Sequence, residues 1–449
     1  MKRHTTVTAL AVFAAGLLVA TSSSATDGYF QHGYGIISKG MAGASTALAN
    51  DTFGGATNPA KMVFVGNRLD FGVDLFSPRR SAERSGSDPL VNLDGSADSD
   101  SNLFYVPEFG YNKLLNPTLA LGVSVYGNGG MNTDYPGGQI PNASGCNAAF
   151  GGFNPQPGPY NLLCGNGRLG VDLIQLVIAP TLSYKLSDDQ AVGVSPLFGF
   201  QRFKIDGLQA FGGFSTSPNN VTNRGYDTAQ GMGVRFGWFG RFSETLSFGA
   251  AYSTKIKMSK FDKYKGLFAE EGDFDMPANY NAGVAAKINP KTTIAFDYQR
   301  INYSGVKSVG NPSALLLQCA GGNLPNCLGG SDGAGFGWRD VDVWKLGIEY
   351  RYDDRLTLRG GYNRSGNPIR ADDVTINILA PGVVQDHITL GLTYLTATGG
   401  ELSFAYMHAF NNSVSGSSFF NNFTGGLPAG NEKIEMYQNA FGVAYGLKL

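Results

Sequence analysis

The feature that most constrains this chain is a period-two alternation of apolar with small or polar residues, repeated along its length between connections that alternate short and long. Leu69, Phe71, Val73 and Leu75 share one face of such a segment, with Asp70, Gly72 and Asp74 on the other. Met232, Val234, Phe236 and Trp238 alternate with Gly233, Arg235 and Gly237, and Ile388, Leu390, Leu392 and Tyr394 alternate with Thr389, Gly391 and Thr393. The same pattern runs through 119–125, 294–299 and 344–351. Successive side chains on a strand point to opposite faces, so each segment reads as a strand with one greasy face. Soluble sandwiches alternate in the same way, and the connections separate the two cases. Tight turns fall at Ser187–Gln190, Phe242–Thr245, Ile288–Lys291, Tyr352–Arg355 and Thr396–Gly400, with a slightly longer one at Lys113–Thr118. Between them lie long Gly/Asn/Ser/Pro-rich connections, roughly 79–102, 129–168, 209–228, 259–275, 305–338, 365–384 and 412–433. Short periplasmic turns against long outer loops are the pattern of an outer-membrane barrel. Six turns and seven loops join fourteen strands, an even number with both ends in the periplasm. The fold class expected is all-β, a transmembrane antiparallel β-barrel of 14 strands.

Composition agrees. Only 15% of residues are charged and 12% are aromatic, the reverse of a disordered chain. Gly accounts for 63 of 449 residues, about twice the usual share, with no three-residue period that would mean collagen. A net charge of -1 leaves no electrostatic case for nucleic acid. Lys2, Arg3 and His4 precede an apolar run from Ala9 to Ala20, and Ser23-Ser24-Ala25 follows. This reads as a secretory signal peptide over 1–25, with the mature chain starting near Thr26. The run is shorter than the ~20 residues a spanning helix needs, which leaves strands as the route into a membrane. Tyr298, Tyr350, Tyr394, Tyr406 and Tyr445 lie toward strand ends, where aromatic girdles form. The last residue is Leu449 rather than an aromatic, which bears on insertion and not on the fold.

Cys146 and Cys164 fall in one outer loop, Cys319 and Cys327 in another. Four cysteines allow three connectivities; separate loops and an oxidising compartment favour two local bridges. A metal site lacks the C-x-x-C spacing and a neighbouring His, so no metal and no cofactor are expected. After export the histidines are His32, His387 and His408. Asp386 adjoins His387, but adjacent strand residues face opposite sides, and no G-x-S-x-G elbow is present. Gly165-Asn166-Gly167-Arg168-Leu169-Gly170 fits G-x-G-x-x-G only in a loop leading into a strand. An enzyme is not expected.

Residues 26–67 hold no alternating strand, are rich in Gly and Ala, and end in Asn58-Pro59-Ala60-Lys61-Met62. About forty mildly hydrophobic residues before a barrel of residues 68–449 are expected to fold into its lumen. Here Gly28-Tyr29-Phe30-Gln31, Lys39-Gly40-Met41-Ala42-Gly43-Ala44-Ser45, Ala47-Leu48-Ala49-Asn50-Asp51 and Asn58-Pro59-Ala60 resemble the hatch of the FadL-type long-chain fatty acid transporters. Val125-Tyr126-Gly127, and the run from Trp338 through Tyr352-Asp353-Asp354 to Ala405-Tyr406-Met407-His408, are similar too. The resemblance covers essentially the whole mature chain and is weak in the loops. It implies a fourteen-stranded outer-membrane barrel of a Gram-negative bacterium, a monomer plugged by an N-terminal hatch. It also implies passive transport of a hydrophobic small molecule, a fatty acid or a neutral or aromatic hydrocarbon. A non-transporting surface or adhesin barrel is the alternative.

Under that resemblance, Asn58, Pro59 and Ala60 control hatch position, or simply hold a fixed plug. Tyr126, Gly127, Gly129 and Gly130 make a kink in the third strand that opens a lateral gap toward the outer-membrane lipid, or else begin a loop. Capture falls to the third and fourth outer loops, where Phe211, Phe214, Leu267 and Phe268, joined by Phe419, Phe420 and Phe423, form an exposed patch or pack loop on loop. A carboxylate ligand wants a cation; parity puts Arg235, Lys345, Arg351 and Arg359 inward, together with Asp70, Asp74, Asp172, Asp297 and Glu349. Parity does not choose among them.

Overall fold

A computed structural model describes residues 27–141, 145–146 and 158–449. The expected signal peptide and Thr26 lie outside the described residues. Among these, fourteen strands build the wall: β1 Arg68–Ser87, β2 Phe104–Asn116, β3 Leu119–Tyr135, β4 Leu169–Lys185, β5 Gln190–Asp206, β6 Asp227–Arg241, β7 Leu246–Ser253, β8 Asn279–Asn289, β9 Thr292–Ile301, β10 Val341–Arg351, β11 Leu356–Ser365, β12 Asp386–Leu395, β13 Glu401–Ser417 and β14 Ala429–Lys448. Each pairs antiparallel with the next, and β14 returns to β1 from Arg68↔Lys448 to Ser87↔Ala429. The sheet closes into a barrel and leaves no free edge, the condition for strands in hydrocarbon. Two short ribbons, Gly95–Asp98 and Lys257–Met258, lie along β1 and β6. No described helix is long and apolar enough to cross a membrane.

The alternation has its expected consequence. On β6 Phe236 is 52% exposed on the outer face while its neighbour Arg235 is 4% exposed in the lumen. Strands run further at the outer end than the alternation indicates. Arg79 to Ser87 continue β1 against β14, where the sequence reading has a loop from 79. Above the bilayer both faces meet water or loops, so the hydrophobic pattern disappears while the hydrogen-bond ladder persists. Asp172 also departs from its expected side. It lies on the outer face of β4, where it accepts a hydrogen bond from Tyr226 Oη at 2.6 Å and faces Arg202. Leu173, Ile174, Leu176, Val177 and Ile178 make β4 apolar on both faces, and parity has nothing to read there. The outer loops carry the disulfides Cys146–Cys164 and Cys319–Cys327, the two local bridges expected.

Candidate lumen site between hatch and wall

Residues 27–63 thread the barrel interior and are almost wholly buried. They form one helical turn, α1 (Ile36–Lys39), and two 3-10 turns, Phe53–Ala56 and Pro59–Phe64. Inward glycines let this segment lie against the wall. A Cβ on Gly361 would sit 2.6 Å from the Met41 carbonyl carbon, and one on Gly347 2.8 Å from Met41 Cβ.

The wall supplies acceptors for hatch donors that have no helix or sheet of their own. Glu108 on β2 takes the N–H groups of Gly35 and Ile36, at 3.2 and 2.9 Å. Asp74 on β1 pairs with Lys39 at 2.8 Å. Asp297 on β9 accepts from Ser45 N, Thr46 N and Thr46 Oγ1 at 2.9, 2.8 and 2.6 Å. Lys345 on β10 donates to the His32 carbonyl at 2.9 Å and stands 3.7 Å from Asp27. Burial raises the Asp27 carboxyl to about 6 against the pull of Lys345. His32 stacks on His387 of β12 with centroids 6.3 Å apart, and burial, then the neighbouring His387 and Lys39, holds it well below the ordinary imidazole range.

Asn58, Pro59 and Ala60 sit where the hatch meets β5 and β6. Asn58 Oδ1 accepts from Ala60 N at 3.1 Å, an N-cap on the 3-10 turn that Pro59 begins. Its Nδ2 donates to Thr46 O at 3.0 Å and to Trp238 O on β6 at 2.8 Å. One amide thus joins two hatch segments to the wall.

At β3 the wall is interrupted. The β2–β3 ladder runs only from Asn116↔Leu119 to Phe109↔Val125, although β3 continues to Tyr135. Its pairing with β4 shifts register between Gly127 and Gly129, a bulge at Asn128. The backbone freed there turns to the hatch: Gln31 Nε2 donates to Gly127 O at 2.6 Å, Gln31 N to Asn128 O at 3.3 Å and Gly130 N to Tyr29 O at 3.1 Å. Tyr126 packs edge-on against Tyr34 with centroids 4.8 Å apart. Above the seam, segment 99–102 rejoins β1 and β3 through Ser99 N to Arg80 O and Asp100 N to Asp134 O, both 2.9 Å.

A narrow, mostly apolar pocket lies beside this seam, lined by Tyr29, Phe76, Met131, Trp338, Pro381 and Met436 around Arg80. Sequence reasoning missed Arg80, because it falls in the stretch assigned to the first outer loop. The four cations expected inward go elsewhere. Arg235 donates to Gly55 O at 2.8 Å, Lys345 is held as above, Arg359 pairs with Glu349 at 2.8 Å, and Arg351 lines a polar vestibule below hatch residues 47–50 with Arg241, Lys287 and Glu349.

The outer loops form a packed cap, not the exposed patch anticipated. Phe211 and Phe268 are 1% and 3% exposed, and Phe214 and Leu267 are likewise buried. Phe268 packs on Phe203 and Phe274, both with centroids 4.7 Å apart, and Phe214 on Phe419 and Phe423. Rings this large are driven against one another when several loops converge over one lumen.

The family model described as outer membrane protein transport protein (OMPP1/FadL/TodX) matches residues 164–445. Among solved structures, the P. putida toluene transporter TodX is 18% identical, with a TM-score of 0.64 over 93% of this chain and 99% of that one. The Ralstonia pickettii toluene transporter TbuX is 17% identical, with a TM-score of 0.61 over 92% and 98%. A Pseudomonas aeruginosa FadL homologue is 14% identical, with a TM-score of 0.65 over 94% and 99%. At these identities the likeness is one of fold. No curated protein matches the sequence.

Proposed function

The chain belongs to the OMPP1/FadL/TodX family of Gram-negative outer-membrane barrels that transport hydrophobic compounds, and on that premise we propose that it takes up long-chain fatty acids or related compounds passively, as a monomer. Outer loops that expose Leu90, Leu317, Leu324 and Leu427 capture the ligand. The pocket beside Tyr29 and Trp338 receives it. Hatch movement governed by Asn58, Pro59 and Ala60 then releases it laterally where Tyr126, Gly127, Gly129 and Gly130 part from β2. The interrupted β2–β3 ladder beside an apolar pocket is the observation that carries this reading, because an apolar solute lowers its free energy by leaving into lipid rather than into the polar vestibule below. Uptake of neutral aromatic hydrocarbons by the same route is the second reading, favoured by the two toluene transporters that share the fold.

Uptake of labelled oleate and labelled toluene by cells with and without the protein tests the proposal. Deletion is expected to lower at least one uptake; no change in either sinks the transport reading. Asn58→Ala removes three hydrogen bonds, each worth ~1 kcal/mol. It is expected to change the uptake rate severalfold while the barrel keeps its heat-resistant folded band on gels. Loss of that band would make the motif structural.

A further inference from the structure

We propose that Arg80 is the anchor for a ligand carboxylate, and that the preferred substrate class is the long-chain carboxylic acid rather than the neutral hydrocarbon. The inference rests on the transport reading above and names its substrate class. Arg80 is 6% exposed and lines a pocket whose other walls are rings, methionines, an alanine, a proline and two glycines, with Asn132 as a further polar residue. Its Nη1 donates to Asn132 O on β3, while Nε and Nη2 are buried without an acceptor.

Those two donors form the side-on edge of the guanidinium, whose parallel N–H bonds match the two oxygens of a carboxylate. Elsewhere in this barrel the same edge already grips a carboxylate. Arg84 points Nε and Nη2 at one oxygen, Oε1 of Glu432, at 2.8 and 2.5 Å, and Arg68 points them at Oδ1 of Asp70 at 2.9 and 2.8 Å, with Nε also 3.0 Å from Oδ2. Lys39, Lys345 and Arg359 also have carboxylate partners. Lys61 and Arg235 have none, but they donate to the hatch carbonyls of Ser45 and Gly55 and do not line this pocket. Arg235 Nε is likewise buried without an acceptor, but Arg80 alone among these cations leaves two donors of one edge unpaired, and it does so in this pocket. A buried guanidinium without a counter-charge is costly, and a ligand that supplies a carboxylate there recovers that cost, whereas a neutral hydrocarbon leaves it unpaid. The cavity is only about 20 Å³, so the alkyl chain enters between Tyr29, Trp338 and the two methionines as the hatch at Tyr29 moves aside.

Trp338 is in the pocket and reports on it. With Trp238 and Trp344 replaced by Phe, it is the single tryptophan, and a dibrominated stearate quenches it on contact. Purified protein is expected to bind the brominated acid at least about tenfold more tightly than its methyl ester. Arg80→Met is expected to abolish that preference and Arg80→Lys to retain part of it, the charge without the fork. A wild-type protein without acid preference, or a preference that survives Arg80→Met, overturns the proposal. The acid-to-ester comparison on the wild type needs no variant to fold. If deletion in cells alters neither oleate nor toluene uptake, the transport reading itself fails; transport without acid preference defeats only the assignment of Arg80.

Discussion

Asp297→Ala is expected to free the hatch while the barrel stays closed. One Asp297 oxygen accepts three hydrogen bonds from consecutive hatch residues, two of them from the backbone. Ala leaves all three donors buried with no wall acceptor, and a buried donor so stranded costs ~1–3 kcal/mol. Even with partial relief from water, the loss is ~3 kcal/mol or more, on the scale of breaking a buried ion pair. The wall is spared, because the β9 ladder from Thr292↔Tyr350 to Ile301↔Val341 uses backbone groups that the substitution does not touch. Trypsin gives the readout. Lys39 and Lys61 are each 2% exposed and are protected while the hatch is seated. Cleavage at both is expected to accelerate at least about tenfold, with the heat-resistant band unchanged. Cleavage at the wild-type rate would show that Asp297 does not hold the hatch.

Gly129→Val is expected to have the next largest effect, and in a different place. A Cβ on Gly129 would overlap the Tyr29 carbonyl oxygen and lie 3.3 Å from Phe30 Cα. β3 is fixed to β4 on its other side, so the hatch must retreat. It then gives up the Phe30↔Gly129 bridge and the bond from Gly130 N to Tyr29 O. Overpacking of this kind costs ~1–3 kcal/mol, and here it also displaces Tyr29 from the pocket wall. Oleate binding to the purified protein is expected to weaken about tenfold or more. Gly305→Val is the matched control, because nothing lies within 4 Å of its Cβ position. Equal binding by the two variants would remove the hatch–β3 contact from the binding site.

Much of the architecture is legible in the sequence. A lipid-facing strand must alternate, and a barrel crossing a membrane must return at alternate ends by turn and by loop; both rules leave marks on every strand, as at Met232–Trp238. Where both faces share one character the marks fade, so parity places Asp172 inward and the alternation reads β1 beyond Arg79 as loop. The exposed patch expected of Phe211, Phe214, Leu267 and Phe268 failed for another reason. Local sequence says that a ring is apolar but not which loop will cover it. Arg80 escapes the sequence pattern for the same reason as the rest of β1's outer end.

By itself the sequence determined the number of strands, their alternating faces, the plugged lumen and the two local disulfides, because each depends on period, spacing or composition along a short stretch of chain. Only the tertiary structure decided which partner each lumen charge meets. Arg84 is joined to Glu432, Asp297 to Ser45 and Thr46, and Lys345 to the His32 carbonyl, across sequence gaps that no local pattern spans. The physical reason is that pairing in a buried lumen follows distance in space. That Arg80 keeps two buried donors unpaired while Arg68, Arg84, Lys39 and Lys345 meet carboxylates is visible only in that space.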